Sequence, residues 1–116
     1  MPNFSIGVTV FGPLLLEEYP EAGERFLAAY MQAIHQYNEG KTDRNIEIMA
    51  EGTGVDVATL QAACWSPFRN DGLIDIDGID EFQQWAVDGG FLESVVPSDQ
   101  YWEPSFLEAA IEIIEE

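Results

Sequence analysis

Three features predict a mainly α fold with one short N-terminal β-strand, in a single domain of 116 residues. Capped amphipathic segments recur from Pro20 onward, β-branched residues cluster in one place near the start, and no low-complexity stretch divides the chain. The length suits one hydrophobic core and is short for two. Residues 3–11 are therefore expected to form the strand, and residues 13–116 to be helical.

The strand expectation rests on Phe4 to Phe11, FSIGVTVF, which is rich in β-branched and aromatic residues and stops at Gly12-Pro13. A lone strand leaves donors and acceptors open on both edges, so it requires a partner. Pro13 to Tyr19 reads as a short helix. The main helix starts at Pro20, because proline needs no backbone donor in a first turn and Glu21 and Glu24 face the positive end of the helix dipole. Phe26, Leu27, Tyr30, Met31, Ile34 and Tyr37 then share one stripe, and Asn38 and Gly40 tolerate the left-handed stop.

Thr42 is placed to N-cap a helix through about Ala50, ended by Gly52 and Gly54, and Asp56 to cap another that runs to about Trp65. Ser66 to Gly78 is expected to be loop. Ile79, Phe82, Trp85 and Ala86 recur at helical spacing before Gly89-Gly90. Val95 to Trp102 reads as a loop with a short turn, and Pro104 opens a last helix carrying Phe106, Leu107, Ala110, Ile111 and Ile114. Glu112 and Glu115 oppose the dipole at its C-terminal end, which predicts fraying there.

Lys and Arg total 4 against 22 Asp and Glu, a net charge of −18. Such a surface repels phosphate backbones and anionic headgroups, so nucleic acid and membrane surfaces are excluded as expected partners. A hydrophobic content of 47% nevertheless supports collapse into a folded domain. Neither an apolar run of about eighteen residues nor a tripartite leader is present, which predicts no membrane insertion and, as written, a cytoplasmic product. Cys64, the only cysteine, allows no internal disulfide, and its place on the apolar side of a predicted helix suggests a buried thiol.

No catalytic constellation emerges, and no enzymatic activity, cofactor or metal is expected. Asn70, Asp71, Asp75, Asp77, Asp80 and Glu81 cluster as calcium ligands do, but their spacing about Gly72 or Gly78 does not fit a calcium loop; turn and cap roles are favoured. Gly52-Thr53-Gly54 lacks the strand, third glycine and Lys-Ser/Thr of a phosphate loop. His35 has no second histidine and no nucleophile motif beside it, so an exposed or capping role is expected. Trp65, Phe68 and Arg69 form the most suggestive group. Either Trp65 packs in the core while Arg69 pairs with a carboxylate, or Trp65 and Arg69 line a solute site.

Four blocks carry a family resemblance: YPEAGERFLAAYMQAIHQYNEGKT (Tyr19 to Thr42), ACWSPFRNDGLID (Ala63 to Asp75), DEFQQWAVDGGFLE (Asp80 to Glu93) and DQYWEPSFLEAA (Asp99 to Ala110). In this order they resemble the C-terminal third of ABC-transporter substrate-binding proteins of the nitrate/sulfonate/taurine and thiamine-precursor group. The resemblance implies the C-terminal part of a type II periplasmic binding protein, an incomplete solute-binding domain related to uptake systems for small anions, sulfonates or pyrimidine precursors. It also makes Phe11 and Gly12, where such proteins leave the hinge strand, candidate cleft residues beside Trp65 and Arg69. Members are exported, so a longer parent is expected to be periplasmic or an extracellular lipoprotein.

In the resembled fold these helices cover a sheet. Without it, the stripe of Phe26, Tyr30, Ile34 and Tyr37 is left open, and apolar patches of that size rarely stay open on a soluble monomer. A homodimer is expected, with the Phe4 to Val10 strands pairing across a twofold axis. A free-standing dimeric interaction module without ligand binding is the alternative function.

Overall fold

The computed structural model describes residues 7–116. Five α-helices follow one another: α1 (Pro20–Asn38), α2 (Asp43–Thr53), α3 (Val57–Ala62), α4 (Ile76–Asp88) and α5 (Ser105–Glu115). A π-helical turn, Leu14–Glu18, leads into α1, and a 3₁₀ turn, Ser98–Gln100, precedes α5. Among the described residues no helix is long and apolar enough to cross a membrane.

The N-terminal strand is a correction: the described residues contain no β-strand at all. Part of the expected 3–11 strand lies outside the described residues. From Gly7 to Gly12 the chain has no regular structure, and Val8 and Val10 are exposed. The β-branched run records a local preference, whereas a strand exists only when another segment supplies its ladder, and none does here.

Local signals set most helix ends. Thr42 Oγ1 accepts from Asn45 N at 3.1 Å, Asp56 Oδ1 from Thr59 N at 2.9 Å, and Asp75 Oδ1 from Gly78 N at 3.2 Å. Because Asp75 is the cap, α4 begins at Ile76, ahead of the first residue of the apolar pattern. Helix α2 runs through Gly52 and stops at Gly54, whose φ of 72° is left-handed and natural to glycine. Helix α3 ends at Ala62, short of the expected Trp65. Lys41 Nζ reaches across from outside to donate to Gln61 O and Ala63 O, both at 2.6 Å, and Ala63 turns away with extended backbone angles.

Helix α1 packs with α5 and with the π-helical turn before it, while α2 and α3 pack on each other. Helix α5 packs along α1, with Ala28 and Met31 of α1 and Leu107 and Ala110 of α5 buried; each larger side chain contributes roughly 2 kcal/mol by leaving water. Gly23 permits this approach, since a Cβ there would lie 2.8 Å from the Phe106 ring. Gly72, at φ +69°, brings the following loop onto the same pair; a Cβ would meet Leu107 at 2.7 Å and Met31 Sδ at 2.9 Å. Ile46 and Leu60 are the buried apolar residues of α2 and α3.

The assembly is open. Its accessible surface of 8489 Å² exceeds by about 2,200 Å² the ~6,300 Å² of a compact monomer of this mass. Its radius of gyration, 17.2 Å, compares with about 13 Å for a compact domain of similar length. No large side chain among the described residues is fully buried.

Candidate functional site

The C-terminal end of α1 gathers a cluster of hydrogen-bonded side chains from three segments: His35, Gln36 and Asn38 of α1, Asn45 of α2, and Asn70. Asn45, buried on α2, donates from Nδ2 to Gln36 O at 2.7 Å and Gly40 O at 2.8 Å, and accepts from Gln36 Nε2 at 3.2 Å. Gln36 O also accepts from Glu39 N at 3.1 Å, and Gly40 lies past the end of α1, so Asn45 fastens α2 both to the last turn of α1 and to the segment by which the chain leaves it. Asn38 holds the loop between α3 and α4. Its Nδ2 donates to Phe68 O at 2.7 Å and its Oδ1 accepts from Phe68 N at 3.0 Å, so one carboxamide pairs with one residue as a neighbouring strand's peptide would. Asn38 Nδ2 also donates to Asn70 Oδ1 at 2.6 Å, and His35 Nε2–H donates to Asn70 O at 3.0 Å. Gln83 repeats the clamp on α4, donating to Val96 O at 3.1 Å and accepting from Val96 N at 2.8 Å.

Beside this polar hub lies an open apolar groove of about 260 Å³, bordered by Tyr30, Ala33, Ile34 and Tyr37 of α1, Ile48 and Met49 of α2, and Phe68. Tyr37 stacks on Trp65 with centroids 5.2 Å apart and meets Phe68 edge-on at the same separation. Tyr30 stacks on Phe26 at 6.1 Å. The polar side chains bordering the groove are two tyrosine hydroxyls and the Gln36 and Asn45 carboxamides, and the Asn45 carboxamide is engaged with the Gln36 and Gly40 carbonyls. Chemically this is a surface for apolar contact, without a charge to orient an anion.

The four sequence candidates do not converge. Phe11 packs edge-on against Phe26 and Phe106, with centroids 5.9 and 5.4 Å apart, and Gly12 O accepts from Leu15 N and Leu16 N in the turn that precedes α1. Trp65 sits against Tyr37 at the far end of α1, its indole Nε1 donating to Leu60 O at 3.1 Å. Phe26 and Tyr37 are eleven residues apart, about 16 Å of helical rise, so the two pairs lie at opposite ends of α1.

Arg69 is committed to Asp71 by two bonds, Nε to Oδ1 at 2.9 Å and Nη2 to Oδ2 at 2.6 Å. That guanidinium, followed by the Leu73 amide, holds the Asp71 carboxyl below the usual carboxylate range. A shallow cavity of about 260 Å³ between Arg69 and Trp102, floored by residues 73–77, presents this paired cation rather than a free one.

The acidic run from Asn70 to Glu81 serves turns and caps. Asp71 Oδ1 accepts from Leu73 N at 3.0 Å, Asp75 caps α4, and Asp80 accepts from Tyr101 Oη at 3.2 Å. Partial burial, and secondly the Asp80 carboxylate, push the Tyr101 hydroxyl above its ordinary pKa. Among the described residues no group of three or more His, Cys, Asp or Glu is arranged to hold a metal. Cys64 is a second correction: it is exposed, because α3 ends before it and the apolar side of the predicted helix does not reach it.

Sequence reading missed the roles of Asn38, Lys41, Asn45 and Gln83. One signal was available: Asn45 shares a helix face with Met49 and adjoins Ile46, a place where an amide has to find partners indoors. No protein-family model, curated protein or solved structure matches this chain.

Proposed function

We propose that the chain is the helical layer of a solute-binding-protein-like domain, related to ABC uptake systems for small anions, sulfonates or pyrimidine precursors. The four ordered sequence blocks motivate the solute class. The observation that carries the reading is the half-covered circumference of α1. Successive residues are about 100° apart, so apolar and small side chains occupy roughly 220° of that circumference. The arc with Gly23, Leu27, Ala28 and Met31 faces α5 and the Gly72 loop, while Phe26, Tyr30 and Ala33 on the other arc border solvent and Tyr37 at its end is half-covered by Trp65 and Phe68. A layer so built calls for a second layer, and in the resembled proteins a sheet provides it.

The same open arc favours a second reading, a free-standing interaction module that forms a homodimer and binds no solute. Native mass spectrometry combined with thermal unfolding in nitrate, taurine and a 4-aminopyrimidine separates the two. A discrete retained mass, or a midpoint that rises with concentration of one of these probes, is expected for the solute-binding reading. Identical midpoints throughout, with a bare dimer in the spectrum, would refute it in favour of the module.

A further inference from the structure

We infer that the exposed face of α4 docks a basic amphipathic segment of another protein. Its apolar side chains would cover Trp85 and Phe91, and its lysines or arginines would pair with Asp77, Glu81 and Asp88 beside them. The aromatic half of this face is built by a helix stop. Phe91 N donates to Ala86 O at 2.8 Å and Gly90 N to Val87 O at 3.0 Å, with Gly90 at φ +75°, so the chain doubles back at the end of α4. Phe91 thereby lies on Trp85, with centroids 5.7 Å apart and planes 22° from parallel, and Phe82 stacks on the same indole at 5.5 Å. Gly89 leaves room for the Phe91 ring, since a Cβ there would come within 2.8 Å of it. One apolar contact completes such a stop. Trp85 and Phe91 nevertheless keep 60% and 73% of their surface open, more than any other aromatic side chain among the described residues. Rings held in place before a partner arrives lose little freedom on binding, and a contiguous exposed aromatic patch marks a docking surface.

Charge selects the occupant. At about 100° per residue, Asp77, Glu81 and Asp88 fall within roughly 40° of one another on α4, next to Trp85, and all three are exposed. Glu81 repels Asp77 one turn earlier, and Asp88 opposes the helix dipole in the last turn. Among the described residues no cation pairs with any of them. Of the four basic side chains in the sequence, Arg44 pairs with Glu47, Arg69 pairs with Asp71, Lys41 donates to two carbonyls, and Arg25 lies on α1. A second copy would bring the same shortage of cations and a further net charge of −18, and nucleic acid and anionic lipid are repelled. A segment carrying both apolar and basic side chains answers both halves of the face.

Isothermal titration calorimetry at 50 mM and 500 mM NaCl is the test. The probe is a synthetic amphipathic helical peptide of leucine and arginine, and its control is the same peptide with glutamine in place of arginine. Four forms of the chain are compared: the wild type, Trp85→Ala/Phe91→Ala, Glu81→Gln/Asp88→Asn, and Glu108→Gln/Glu112→Gln, which removes as much charge from the exposed side of α5. Circular dichroism checks that each variant keeps its helices, and the two charge variants leave the aromatic stack in place.

The wild type is expected to bind the leucine–arginine peptide with a micromolar Kd that weakens several-fold at the higher salt. Binding should fall about tenfold or more in Trp85→Ala/Phe91→Ala and about fivefold in Glu81→Gln/Asp88→Asn, and change less than about twofold in Glu108→Gln/Glu112→Gln. Equal weakening in the two charge variants would reduce the effect to general acidity and overturn the site. Equal binding of the leucine–glutamine peptide would overturn the choice of a basic partner, and a wild type that binds neither peptide would overturn the docking face itself. Sedimentation equilibrium of the wild type alone covers the remaining occupant: a dimer abolished by Trp85→Ala/Phe91→Ala would give the face to a second copy and overturn the proposal.

Discussion

Replacing Asn45 by alanine tests whether the polar hub, rather than the apolar groove beside it, holds α2 to the C-terminal end of α1. The change removes two donor bonds, to Gln36 O and Gly40 O, and the bond received from Gln36 Nε2. At about 1 kcal/mol net for each of the two short bonds, and less for the 3.2 Å one, the expected loss is about 2–3 kcal/mol. For a chain of 116 residues that is a fall of roughly 8–12 °C in Tm, or an equivalent shift of the urea midpoint followed by circular dichroism. Asn45→Asp sharpens the test, because it keeps the shape while replacing the donor with a carboxylate aimed at the carbonyl oxygens of Gln36, in the negative last turn of α1, and of Gly40 just past it. Burial and those dipoles raise its folded-state pKa above the unfolded value near 3.9, so the charged form is penalised in the fold. The penalty is absent below about pH 3.9 and complete once pH exceeds the raised folded value. At pH 7 Asn45→Asp is therefore less stable than Asn45→Ala, and the order narrows or reverses on acidification. A loss under about 0.5 kcal/mol for alanine, or a pH-independent Asp variant, would refute the assignment of Asn45 as the helix-end clamp.

Three further outcomes are expected. Gly72→Ala forces a side chain onto a left-handed backbone and into Leu107 and Met31, so chemical denaturation should register a loss of about 2 kcal/mol or more. Titration of Asp71 by NMR should give a midpoint below the ordinary carboxylate value. Its contribution is present above the unfolded pKa and lost as pH falls through the lowered folded one, and Arg69→Gln should return the midpoint upward. Gln83→Ala breaks the clamp on Val96, and hydrogen exchange at the Val96 amide should accelerate at least tenfold while amides within α1 are unaffected.

Helix positions along this chain were legible because their causes are local. A threonine or aspartate three residues ahead of a free N–H caps whatever the rest of the protein does, and Gly54 ends α2 through its own backbone freedom. The helical stripe of α1 was equally plain, since a spacing of three and four residues has one meaning. Its division into a covered and an open half was not, because that depends on where α5 lands some eighty residues later.

Sequence reasoning went wrong where the deciding partner is distant. FSIGVTVF prefers an extended backbone, but a strand needs a second strand, and the described fold supplies none. The pattern past Asp56 permits a helix to Trp65, yet Lys41 captures the carbonyls of Gln61 and Ala63 from about twenty residues upstream and α3 ends there, leaving Cys64 outside. Arg69, by contrast, meets a carboxylate only two residues along, Asp71 at 2.6 Å, one of the two roles open to it from the sequence. Capping and periodicity act within one helical turn and can be read residue by residue. Clamps, ladders and coverage join segments that only the folded chain brings together, and their energy depends on that meeting rather than on the identity of either residue alone.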